Sequence, residues 1–131
     1  MKERKLKTYV LKTPYEGMEE VVVAPFVSRY QNNNRLAIFL EDVKTGEDFG
    51  VLTVNLDYDL SNEDLNNLAF VDTNNMPYIL GFIKENELGR ETLWFGMSGY
   101  CTYPEYSFDL SKLNSFEDYE AYCNGELKYE E

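Results

Sequence analysis

The chain has 131 residues, 24 acidic and 12 basic side chains, no histidine, and a formal net charge of −12. Such a length fits one domain over residues 1–131, and 44% hydrophobic with 15% aromatic residues is too apolar for a disordered acidic tail. The missing histidine removes Ser-His-Asp and Cys-His mechanisms and histidine zinc sites, two cysteines are too few for an all-cysteine zinc site, and the negative balance argues against nucleic acid or an anionic membrane as a direct partner.

The charge is uneven along the chain. Residues 1–12 carry Lys2, Arg4, Lys5, Lys7 and Lys12 against Glu3, a net of +4, and the remainder carries −16. Residues 6–12 have strand composition, so their lysines either guard a sheet edge or form a basic arm for a partner. Pro14 and Gly17 end this strand. Residues 20–27 are β-branched and apolar. Pro25 lacks an N–H there, which implies an edge position, a bulge or a strand break. The turn Gln31-Asn32-Asn33-Asn34 leads into residues 35–41, where Leu36, Ile38 and Leu40 share one face at period two. Lys44-Thr45-Gly46-Glu47-Asp48 closes a hairpin with residues 49–56, with Leu52, Val54 and Leu56 on one face.

Further on, Ser61 is a candidate cap with Asp64 in the third helical position. Residues 69–72 are a short apolar piece. Asn75 as N-cap, Pro77 in the first turn and the spacing of Ile79, Phe82 and Ile83 predict a helix over 76–86, stopped by Gly89. Residues 96–100 read as a flexible loop, 100–110 as a strand broken near Pro104, and 116–124 as a helix capped by Ser115 and ended near Gly125. The sum is an α+β fold: an antiparallel sheet of about four to six strands, built as hairpins or a meander, with two short helices packed on it. Cys101 and Cys123 either pair or are buried thiols. No signal peptide or run of about 18 apolar residues is present, so a cytoplasmic location is expected.

No motif for chemistry is complete. Asp57-Tyr58-Asp59 starts like a calcium loop, but Asn62 stands where Gly is needed and Leu68 where a bidentate Glu is needed. Gly96-Met97-Ser98-Gly99 is half of a nucleophile elbow without a base. Adjacent carboxylates abound, yet adjacency does not show convergence. No catalytic residue, metal site or cofactor is assigned. The 11 tyrosines are the unusual excess. Tyr100, Tyr103 and Tyr106, together with Trp94, Asp57 and Asp59, form the candidate contact surface, against the plainer reading of a half-buried tyrosine layer.

Three stretches taken together, Thr53-Val54-Asn55-Leu56, residues 69–75 and residues 98–106, resemble the small acidic proteins grouped as domain of unknown function 4313. The resemblance runs over about residues 6–113. It implies a cytoplasmic accessory protein of conjugative elements and phages, with no catalytic residues to transfer. The expected function is therefore a non-enzymatic acidic interaction protein of a mobile genetic element. Its specific version is anti-defence or regulatory, an acidic face meeting a basic, nucleic-acid-binding host protein. The alternative is a small-ligand binder or enzyme with a carboxylate and tyrosine pocket, and a third reading is a homo-oligomeric module.

Overall fold

The computed structural model describes residues 5–61 and 66–130. The strands are β1 (Tyr9–Lys12), β2 (Glu20–Arg29), β3 (Leu36–Asp42), β4 (Glu47–Val51), β5 (Thr53–Val54), β6 (Leu68–Val71), β7 (Gly89–Ser98) and β8 (Cys101–Phe108). Helices α1 (Ile79–Glu85) and α2 (Phe116–Cys123) complete the fold, with a single 3-10 turn at Leu110–Lys112. The fold is α+β. Its described strands form two antiparallel sheets of four, ordered β1-β2-β3-β4 and β5-β6-β8-β7, where one sheet of four to six was expected.

The division falls at Leu52. Its N–H donates to Ile38 O at 2.8 Å in the first sheet, and its carbonyl accepts from Asp72 N at 2.9 Å in the second. The expected return strand over 49–56 is thereby split into β4 and β5. Thr53 is buried at the same junction, accepting from Ile38 N at 3.1 Å and hydrogen-bonded to the Tyr30 hydroxyl at 3.0 Å.

Period-two burial then sorts the faces. Leu11, Val21, Val23, Leu36, Ile38 and Leu40 of the first sheet share one core with Ala69, Val71, Tyr106 and Phe108 of the second, and α1 adds Ile79, Phe82 and Ile83. Each fully buried Val, Leu, Ile or Phe among them contributes roughly 1.5–3 kcal/mol through removal from water. The first sheet's other face carries Phe26 and Phe39, stacked at 5.5 Å, beneath Tyr119 and Tyr122 of α2. A smaller outer cluster on the second sheet joins Leu56, Phe70 and Tyr103.

Several local expectations change. β2 runs straight through Pro25, which pairs with Leu40, because the proline lies where β1 has already ended. Helix α1 is shorter than predicted. The Asp72 carboxylate holds Asn75 in a preceding turn, at 3.2 Å to its N–H and 2.8 Å to Nδ2. The stop is Glu87 at φ 53, while Gly89 already belongs to β7. β8 continues past Pro104, which lies beyond the last β6 partner, Phe70 opposite Glu105. Helix α2 starts as expected, with a capping box between Ser115 and Asp118. The expected Ser61–Asp64 cap lies partly outside the described residues, as do Lys2 and Arg4. β1 is an edge strand, and Lys12 sits 3.8 Å from Glu85. Cys101 and Cys123 are free thiols. Cys123 is exposed in the last turn of α2, so the buried reading fails for it. Among the described residues no helix is long and apolar enough to cross a membrane.

Candidate functional site

β7, at the edge of the second sheet, was not expected as a strand. Its alternation is interrupted by a bulge: Glu91 lies opposite Tyr106 and Phe95 opposite Pro104, so Thr92, Leu93 and Trp94 stand against Glu105. The bulge is tied down chemically. Glu105, 0% exposed, accepts from the Thr92 hydroxyl at 2.7 Å, from Ser61 N at 2.9 Å and from the Ser61 hydroxyl. Trp94 N donates to Thr92 Oγ1 at 3.2 Å, and the Trp94 indole donates to Asp59 O at 3.0 Å. Leu93 is thrown outward at φ 71 and is 74% exposed.

The consequence is an exposed apolar run on a strand edge: Leu93, Trp94, Phe95 and Met97. It ends at a two-residue turn. Gly99 there has φ 59, which a glycine adopts without strain, and Tyr100 stands fully exposed at the tip. Only this turn remains of the loop expected over 96–100. Gly96 itself is buried, since a Cβ there would lie 2.7 Å from Leu56 Cδ1 and 2.8 Å from Phe70 Cε1.

Of the six expected contact residues, four are exposed and two are buried. Trp94 and Asp59 touch, Asp57 is exposed two residues from Asp59, and Tyr100 caps the same hairpin. Tyr103 and Tyr106 are corrections. An odd separation along β8 sends them to opposite faces, and both faces are covered, by the outer cluster and by the main core. Leu93, Met97 and the buried Glu105 were missed, while Phe95, which the sequence leaves open as a core or contact anchor beside Trp94, is exposed. The apolar run was visible in the sequence, but the bulge hides its period.

A second feature lies on the outer face of the first sheet beside α2. It is an open groove of about 450 Å³ whose lining includes Arg29, Tyr30, Glu41, Asp48 and Tyr119. Glu41 is only 8% exposed, and its Oε2 has no hydrogen-bond partner. Burial and then the neighbouring Asp48 raise its proton affinity, while a hydrogen bond from Tyr119 acts the other way. Arg29 Nη1 is likewise buried without a partner. A hydrogen bond to Cys123, burial, and the charges of Cys123, Glu41 and Asp48 push the Tyr119 phenol up to about 12. Among the described residues no group of three or more acidic or cysteine side chains is arranged to hold a metal ion.

The architecture is that of a small two-sheet α+β protein with an apolar strand edge and a charged groove on opposite sheets. The chain belongs to the family described as Domain of unknown function (DUF4313), whose family-wide model matches residues 26–125. That match begins inside β2 and extends through α2, further toward the C-terminus than the expected resemblance. No curated protein and no solved structure matches the chain.

Proposed function

We propose that this protein is a non-enzymatic interaction protein that seats a protein partner on the β7 edge. The observation that carries the reading is the run Leu93, Trp94, Phe95 and Met97, exposed together on a sheet edge and ending at Tyr100. Soluble monomers rarely leave a large contiguous apolar patch in water, and Trp and Tyr are favoured anchors where proteins meet. The strand edge adds unpaired backbone N–H and C=O groups that a partner strand can use.

The exposed acids beside the strip, Asp57, Asp59 and Glu91, favour a partner with a basic rim, and the net charge of −12 steers such a partner in. The setting proposed here is that of a cytoplasmic accessory protein of a mobile genetic element, and the acidic balance favours action on a basic, nucleic-acid-binding host protein in an anti-defence or regulatory role.

The test is capture from host lysate at low and high salt, with wild type beside a Leu93→Asp, Phe95→Ser double variant. A basic protein held by the wild type at low salt, weakened at high salt and lost from an equally stable variant supports the reading. Identical proteins captured by both chains at both salts would overturn it.

A further inference from the structure

The groove on the first sheet has a polarity that the β7 edge does not use. β3 presents Ala37, Phe39 and Glu41 to it at period two, and β2 pairs with these residues through Ser28, Phe26 and Ala24. Arg29 sits at the Ala37 end. Glu41 sits at the other end, where its β4 neighbour is Asp48. Tyr119 of α2 and the Phe39 ring, 4.8 Å apart, wall the middle. The order along the groove is therefore cation, apolar floor with aromatic wall, then carboxylates.

Both ends hold an unanswered polar atom. Arg29 Nη1 and Glu41 Oε2 are buried without hydrogen bonds, and a buried charged group left so carries an uncompensated desolvation penalty. The pairing register sets Arg29 five residues from the β2 residue opposite Glu41, about 17 Å at the rise of a strand. The reach of two long side chains takes up part of this distance, and one α-amino acid, whose charges flank a single Cα, does not span the rest.

We propose that this groove binds a short free peptide of two or three residues, its carboxylate at Arg29 and its ammonium at Glu41 and Asp48. The occupant is a linear zwitterion whose charges are separated by its length, and a tripeptide extends about 10 Å. Small or apolar side chains suit the floor at Ala37 and Phe39. The ammonium relieves the repulsion between Glu41 and Asp48 that the empty groove leaves in place. This site is independent of the β7 edge and survives if that reading fails.

The experiment is calorimetric titration of the full-length chain with trialanine, beside N-acetyl-trialanine, which lacks the ammonium, and trialanine amide, which lacks the carboxylate. Trialanine is expected to bind and to raise the melting temperature, and each capped peptide to bind roughly tenfold or more weakly, the equivalent of about 1.4 kcal/mol. Glu41→Gln should remove the preference for the free ammonium and Arg29→Gln the preference for the free carboxylate, each leaving the other preference intact. Absence of binding by trialanine at millimolar concentration overturns the proposal. So does equal binding of all three peptides, or unchanged preferences in both folded variants.

Discussion

Asn114 supplies the hydrogen bonds that the proline at position 25 cannot find in a neighbouring strand. The Pro25 carbonyl accepts from both the backbone N–H and the Nδ2 of Asn114, each at 2.9 Å. The same side chain accepts from Lys7 N and donates to Lys7 O, both at 2.9 Å, and the Asn114 carbonyl accepts from Val27 N at 2.8 Å. In an extended strand the N–H and C=O of one residue point to the same side, so the missing proline donor faces Asn114 and leaves the β3 ladder whole. One fully buried residue, at 0% exposure, thus ties Lys7, just before β1 and 107 positions away from it in sequence, to β2.

Asn114→Ala should therefore be severely destabilising. It strips the donor and acceptor that satisfy both Lys7 groups and leaves them partly buried without partners, a cost of about 2–4 kcal/mol. Urea unfolding checks this, and a loss below about 1 kcal/mol would show that water replaces the side chain freely.

Glu87→Gly should stabilise the protein. Helix α1 closes with Leu88 N donating to Ile83 O at 3.0 Å and Glu87 N to Lys84 O at 3.2 Å, a motif that needs a left-handed residue at Glu87, and glutamate holds φ 53 there. Glycine removes a strain of about 1 kcal/mol. The ion pair to Lys112 at 3.6 Å is lost, but the Glu87 side chain is largely exposed and such pairs are worth little. Thermal unfolding of the two chains decides it, with a higher midpoint expected for the variant.

Glu105→Ala should release the segment that covers the outer cluster. Ser61 then loses the acceptor of both its N–H and its hydroxyl, and Thr92 loses the contact that shapes the β7 bulge. A destabilisation of about 2–4 kcal/mol is expected. Hydrogen exchange gives the sharper readout: faster exchange at Ser61 and Trp94 with β2 and β3 unchanged. Uniform loss of protection would mean that Glu105 supports the whole fold.

Glu41→Gln should raise stability at neutral pH. The folded carboxyl binds its proton more tightly than the unfolded one, through burial and Asp48, so native Glu41 loses stability as pH rises from the ordinary glutamate range through its raised value. The glutamine variant lacks this fall. Tyr119 follows the same sign at alkaline pH, its phenol keeping its proton up to about 12, so its contribution is lost as pH rises through that value. Denaturant midpoints across pH check the first, and the disappearance of the last-ionising phenol from the ultraviolet titration of Tyr119→Phe checks the second.

Legibility in the sequence followed the range of the forces. The β3–β4 hairpin and the buried row Leu36, Ile38 and Leu40 were visible because turn chemistry and period two are local. Ser115 announced α2 for the same reason, since a capping box closes within four residues. β7 was not visible. Its bulge is held by Glu105 and Asp59, 13 and 35 positions away, and Thr92-Leu93-Trp94 has no strand period without them. Of the candidate contact surface, Trp94, Tyr100, Asp57 and Asp59 are exposed, as their residue types suggest. The burial of Tyr103 and Tyr106 was not, because it depends on what covers each face of β8.

By itself the sequence determined the α+β class, the acidic balance, the exclusion of imidazole chemistry and the likeness to a family. These rest on composition and on neighbours within a turn or a hairpin. Tertiary structure alone decided that Leu52 parts the strands into two sheets, that β7 carries an apolar edge, and that Arg29 and Glu41 face one groove with unanswered atoms. Each of these depends on pairing between distant segments, and the chain records such pairing only in which polar groups and apolar faces it leaves to be satisfied.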